Sequence, residues 1–260
     1  MRPEPGVAPG DATRRAQVQA AASALGLALD ESVLDRLMAY LQLLQRWNQV
    51  YNLTALRDPD QMLSHHLVDC LAVLPALRRW AAAGDAAVSA DARAGASHAA
   101  STRALRLLDV GSGGGLPGVV LAAVEPAWQV ACVDTVAKKA SFIRQVAAEL
   151  RLPNLQALHA RVENLQPPPA LAPAGEAGGQ PAAPGYDLIT SRAFASLSDF
   201  TRLSAHLLAP GGVWMAMKGK PPDDEQAALP PGVEVFHVEH LQVPGLDAQR
   251  CLVWMRRKSD

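Results

Sequence analysis

Seven residues, Asp109-Val110-Gly111-Ser112-Gly113-Gly114-Gly115, have the types and spacing to cradle a nucleotide-like ligand. An apolar run, Leu105 to Val110, leads into them; another, Val119 to Val124, follows Leu116-Pro117-Gly118. Glycines at 111, 113 and 115 let a backbone turn tightly and lie against a ligand where a side chain would stand in the way. The helix expected behind them presents unpaired N–H groups. A carboxylate, Asp134, ends the next apolar run, Val130 to Val133. There it can accept hydrogen bonds from both hydroxyls of a ribose, or else cap the helix expected from Ala137.

Three ligand classes compete for this turn. A phosphate-binding P-loop needs Gly-Lys followed by Ser or Thr, and no lysine follows Gly118. The dinucleotide fingerprint G-x-G-x-x-G places Leu116 where it asks for glycine. The first motif of S-adenosylmethionine-dependent methyltransferases, Asp-x-Gly-x-Gly-x-Gly, is matched at every position from Asp109 to Gly115. The expected cofactor is therefore S-adenosylmethionine, held by Asp109, Gly111, Gly113 and Gly115 with Asp134 on the ribose.

Other reactive residue types lead less far. His65 and Asp69 share a helix face with His66 beside them, but two or three ligands without a fourth make a poor metal site. No metal is expected, and the trio reads as a hydrogen-bonding cluster between helices and sheet. Cys70, Cys132 and Cys251 lie far apart without C-x-x-C spacing, as buried thiols of a reducing compartment do. Lys138, Lys139, Arg144, Lys218 and Lys220 form either a basic rim for phosphates or an ordinary solvated surface. Trp47 and Tyr51 have faces on which bases stack, although core packing is their expected role.

These groups need a scaffold, and the pattern supplies one. Residues 1–13 read as a disordered tail and 14–80 as a helical region. Within it, Gln17 to Leu27 is Ala-rich. Asp30 then caps a helix whose Val33, Leu34, Leu37, Met38, Leu41, Leu44 and Trp47 make one apolar stripe. Asp58-Pro59-Asp60-Gln61 starts a third helix expected to reach Leu74. Residues 81–103 are a low-complexity insertion. The methyltransferase domain spans 104–260, with a loop insertion at 167–185. Strands are expected at 105–110, 129–134, 155–158, 186–191 and 213–217, alternating with helices at 137–150 and 197–208. Two late β segments, 233–243 and 251–256, are joined by Pro244-Gly245. The fold class is α/β: a Rossmann-like, seven-stranded, mostly parallel sheet with a C-terminal antiparallel hairpin, the class I methyltransferase architecture.

Composition bounds the rest. A chain of 260 residues with 49% hydrophobic residues supports one catalytic domain with appendages. A formal net charge of −1 gives no global footprint of nucleic-acid binding, although a local patch suffices. The first residues, Met1 to Asp11, carry no apolar core of a signal peptide, and no run is long enough to span a bilayer, so a cytoplasmic protein without a membrane partner is expected. Oligomeric state leaves no mark in the sequence.

Several longer runs are more specific than the glycine turn. They are Arg46-Trp47-Asn48-Gln49-Val50-Tyr51-Asn52-Leu53-Thr54, Arg57-Asp58-Pro59, His66 with Asp69, and the glycine loop extended by Leu116-Pro117-Gly118. They continue with Arg161-Val162-Glu163, Ser191-Arg192-Ala193-Phe194-Ala195-Ser196-Leu197, Lys218-Gly219-Lys220 and Leu241-Gln242-Val243-Pro244. In this order they resemble the RsmG (GidB) family, the bacterial small-subunit ribosomal RNA guanine-N7 methyltransferases. His65 stands where that family often has arginine. The resemblance implies 16S rRNA of the small ribosomal subunit as partner, and cofactor contacts at Gly111, Leu116, Val162, Glu163 and Arg192. Guanine N7 holds its lone pair in the neutral base, so no general base is expected. Arg192 is the residue expected to position the reaction, through the cofactor carboxylate, a phosphate or guanine O6, with a structural ion pair as the alternative. The competing readings are a methyltransferase for another substrate, a non-catalytic cofactor-binding assembly factor and, more distantly, an NAD-dependent oxidoreductase.

Overall fold

The structure, a computed structural model, describes residues 9–83, 104–169, 184–192, 194, 196–221 and 223–258. Helix α1 covers Pro9–Ala24 and so begins inside the stretch expected to be a tail. Proline opens it and Asp11 lies in its first turn, both of which favour a helix start. Residues 1–8, and most of the two expected insertions (84–103 and 170–183), fall outside the described residues.

Helix α2, Glu31–Tyr51, starts where Asp30 accepts the Val33 N–H at 2.8 Å and buries the expected stripe from Val33 to Leu44. It stops at Asn52, whose left-handed backbone (φ 50°) is one that asparagine tolerates. Asp58 caps α3, Pro59–Met62, which passes into a π-helical turn, Leu63–Val68, and then α4, Asp69–Leu71. Helix α5, Leu74–Ala83, follows separately. The single helix expected to reach Leu74 is thus divided, and Pro75 sits in the first turn of α5, where its missing N–H costs nothing.

The remaining elements alternate as expected: β1 Arg106–Val110, α6 Gly118–Val124, β2 Gln129–Asp134, α7 Ala137–Glu149, β3 Leu155–His159, β4 Tyr186–Arg192, α8 Leu197–Ser204, β5 Leu208–Lys218, α9 Asp223–Gln226, β6 Val233–Leu241 and β7 Arg250–Arg257. They form one seven-stranded sheet in the order β3-β2-β1-β4-β5-β7-β6. Strands β1 to β5 run parallel, and β7 runs antiparallel between β5 and β6. The order reverses at β1, because β2 and β3 extend one way and β4 and β5 the other. Ligands of such sheets bind outside the carboxyl ends of the strands at that reversal.

Side chains from α1, α2, α5, α6 and α7 join Leu107, Leu188, Met215 and Trp254 in one buried cluster. A second cluster, with Leu108, Ile189, Phe200 and Trp214, fills the opposite face. The helical region therefore shares the core of the sheet and has none of its own. No helix among the described residues is long and apolar enough to cross a membrane.

Candidate cofactor site and its arginine neighbour

The carboxyl ends of β1 and β2 and the turn after β3 enclose a cavity of about 330 Å³. Gly111, Asp134, Val162 and Glu163 line it, as do Val110, Val133 and Phe194. The glycine loop is tied to β2, since the N–H groups of Gly111 and Ser112 both donate to the Val133 carbonyl, at 2.9 and 3.2 Å. Gly111 faces the cavity with φ +69°, and a Cβ there would approach Phe194 at 3.6 Å.

Asp134 fixes the other wall. Its Oδ2 accepts the Gly113 N–H at 3.0 Å and its Oδ1 accepts the Val136 N–H at 2.9 Å. Lys139 Nζ lies 3.8 Å away. A carboxylate has about four acceptor positions, so two remain for a ribose diol after these bonds. The capping alternative is realised only loosely: Asp134 reaches Val136, the residue before α7, and Val136 offers no side-chain cap. Bare backbone at Gly111, an acceptor with capacity to spare and an apolar wall of Val110, Val133 and Val162 fit S-adenosylmethionine.

Five expected cofactor residues, Asp109, Gly113, Gly115, Leu116 and Arg192, do not line the cavity. Asp109 is 0% exposed beneath the loop. Its Oδ2 accepts the Gly118 N–H at 2.9 Å, and the Cys132 thiol lies 4.0 Å from the same oxygen. Burial pushes this carboxyl up to about 7. Asp109 supports the loop from below, which corrects the expectation of direct contact. Gly115 and Leu116 are likewise buried and do not line the cavity. A Cβ on Gly115 would fall 2.4 Å from Val119, so its bareness serves loop-to-helix packing. Gly113 is half-buried and acts through its N–H to Asp134.

Arg192, at the end of β4, is held by the helical region. Its Nη1 donates to the His65 carbonyl at 3.0 Å and meets Asp69 Oδ2 at 3.4 Å, while Nη2 lies 3.2 Å from His66 Nδ1. Asp69 accepts a second arginine, Arg250 of β7, at 2.8 Å. His66 Nε2 contacts the Thr54 hydroxyl at 2.7 Å. Burial, reinforced by the Arg192 charge, presses the His66 imidazole down to about 4, which keeps it neutral near pH 7. The ion-pair alternative for Arg192 is therefore present, and His65, His66 and Asp69 do form the hydrogen-bonding cluster between helices and sheet. Among the described residues no group of histidines, cysteines and carboxylates could hold a metal ion.

The expected basic rim is uneven. Lys138, Arg144 and Lys220 are exposed. Lys218 is taken up by Glu225 at 2.8 Å, which also accepts the Leu197 N–H. Lys139 lines the cofactor cavity instead of standing outside it. Sequence reasoning passed over Thr135, Val136, Ala160, Phe194 and Leu203, which also line the cavity. For Thr135, Val136 and Ala160 a signal was present, since each directly follows the carboxyl end of a parallel strand, where ligands of this architecture sit.

Sheet order, glycine cradle and acidic wall together define a class I S-adenosylmethionine-dependent methyltransferase. The family described as "GidB: rRNA small subunit methyltransferase G" matches residues 33–86 and 89–253. A "Ribosomal RNA small subunit methyltransferase G" of Leptothrix cholodnii is 55% identical over 240 residues, covering 92% of this chain and 94% of that protein. One of Methylibium petroleiphilum is 52% identical over 253 residues, covering 97% and 99%. The chain belongs to this small-subunit ribosomal RNA methyltransferase family.

Proposed function

We propose that this chain transfers a methyl group from S-adenosylmethionine to N7 of a guanine in the 16S rRNA of the small ribosomal subunit, in the cytoplasm. The observation that carries this reading is the placement of Arg192 at the open reversal of the sheet, gripped by the helical region, in a chain of this family. The cofactor supplies a methyl group on a positively charged sulfur. The neutral guanine keeps its N7 lone pair and attacks without losing a proton, so the protein has no proton to remove. Its task is alignment, which brings the reacting atoms to near-attack distance. Asp134, Gly111, Val162 and Glu163 hold the cofactor. Arg192, with its direction set by Asp69 and His65, offers a fixed fork of N–H donors beside the reaction. An arginine reading guanine through both O6 and N7 would occupy the nucleophilic lone pair. Arg192 therefore acts on O6, a phosphate or the cofactor carboxylate.

The test is tritium transfer from labelled S-adenosylmethionine to purified small subunits, followed by nucleoside digestion. Label in 7-methylguanosine of the 16S RNA is expected, falling at least 100-fold in Arg192→Ala while S-adenosylhomocysteine still raises that variant's melting point. Label on protein, on another RNA position, or undiminished transfer by the variant would refute the assignment.

A further inference from the structure

We propose that Tyr51, braced by Trp47, is a stacking platform for an unpaired nucleobase of the RNA substrate, beside the mouth of the cofactor site. The proposal rests on the rRNA reading above and names a part of the surface that reading leaves blank.

Val50 and Tyr51 are the large hydrophobic residues left exposed among the described residues, at 70% and 41%. They are neighbours on the last turn of α2. The Tyr51 ring is not free to wander: its centroid lies 5.0 Å from that of Trp47, and the Trp47 centroid lies 5.4 Å from that of Phe142 on α7. The ring is thus held in place before any partner arrives, which lowers the entropy cost of binding.

The backbone beyond it is fixed too. The Asn48 side chain donates to the Leu56 carbonyl at 2.7 Å and accepts the Thr54 N–H at 2.8 Å, stapling the loop that Tyr51 leads into. Arg57 donates to the Asn52 side chain at 2.9 Å.

Position ties this patch to the cradle. Tyr40, three turns back on α2, donates its hydroxyl to the Gly114 carbonyl at 2.6 Å. A Cβ on Gly113 would lie 4.0 Å from the Leu53 carbonyl, two residues past Tyr51. The same loop reaches His66 through Thr54, and His66 reaches Arg192. The surroundings favour an anionic partner. Along the chain Arg46 and Arg57 stand on either side of Tyr51, with Asp58 next after Arg57, and α7, whose Phe142 packs on Trp47, carries Lys138 and Arg144 as exposed cations. Proteins hold unpaired strands on an exposed aromatic ring with basic side chains on neighbouring elements, through stacking on the base and charge on the phosphates.

The test compares wild type, Tyr51→Ala and Tyr51→Phe in steady-state methylation of small subunits, in binding of protein-free 16S RNA and in S-adenosylhomocysteine binding. Tyr51→Ala is expected to raise KM and the RNA Kd by about 5- to 150-fold, the range that loss of one stacked base produces. Its kcat and its S-adenosylhomocysteine affinity stay near wild type, and Tyr51→Phe, which keeps the ring, stays within about threefold throughout. Wild-type transfer with KM unchanged in Tyr51→Ala would overturn the platform alone. So would a phenylalanine variant as impaired as the alanine one. A rise in KM on subunits with unchanged binding to protein-free RNA would assign the patch to a ribosomal protein and overturn stacking. Absence of transfer by the wild type would overturn the rRNA reading and this proposal with it.

Discussion

At the scale of single residues, two buried groups give the protein opposing responses to pH. Asp109 holds its proton up to about 7 because burial penalises its charge. An unfolded chain releases that proton near pH 4, so this group's contribution to stability falls as pH rises from about 4 to about 7. His66 is pressed down to about 4. An unfolded chain binds that proton near 6.5, so its contribution falls as pH drops from about 6.5 to about 4. Asp109→Asn removes only the first effect and can still accept the Gly118 N–H. Its melting point should therefore climb more steeply with pH across this window than that of the wild type, in melts recorded at half-unit steps. Superimposable profiles would contradict the assignment. Two glycines separate support from contact in the same way. A Cβ at Gly118 would sit 2.3 Å from Cys132 Sγ, inside the core. Gly118→Ala should cost about 1–3 kcal/mol of stability, the usual penalty for overpacking. At Gly111, with its φ of +69° and only Phe194 in reach, alanine should cost about 1–2 kcal/mol of backbone strain and weaken S-adenosylhomocysteine binding further, measured by titration calorimetry.

At the scale of elements, the glycine loop works as a hinge pin between helix and strand. Asp109 below and Asp134 beside it bind its N–H groups at Gly118 and Gly113, so two carboxylates of different burial set one backbone path. The strand–helix alternation and the terminal hairpin were legible in the sequence because each element carries its own apolar period and turn residues. So was Asp134, which sits where a strand must end. Less visible was anything decided by three-dimensional neighbours. The Asp-x-Gly motif marks Asp109 without saying whether it faces ligand or core, and only the packing of α6 on β2 shows that it faces the core. Lys218 reads as a free cation until α9 brings Glu225 to it. The π-helical turn at Leu63–Val68 has no residue pattern of its own, yet it carries the His65 carbonyl and His66 imidazole that meet Arg192. The start of α1 was masked by a Pro/Gly-rich approach that resembles a tail, although Pro9 and Asp11 are residues a helix start favours.

At the scale of the whole molecule, the helical region and the sheet share one core, in which Val18 and Leu34 belong with Trp128 and Trp254. Calorimetry should therefore show a single cooperative transition, and residues 104–260 expressed alone should lack one, since their helix-facing surface would lie open to water. Two transitions in the full chain would show the helical region to be a separate domain. The place of β7 has a consequence in time. It is the last strand in chain order, yet it lies inside the sheet between β5 and β6 and brings Arg250 to Asp69. Synthesis runs from the amino end, so β1 to β4, with the glycine cradle, emerge before β7 does. The surroundings of Arg192 close only after Arg250 has been added. The strands that carry the glycine cradle thus precede, in order of synthesis, the strand that completes the Asp69 cluster around Arg192.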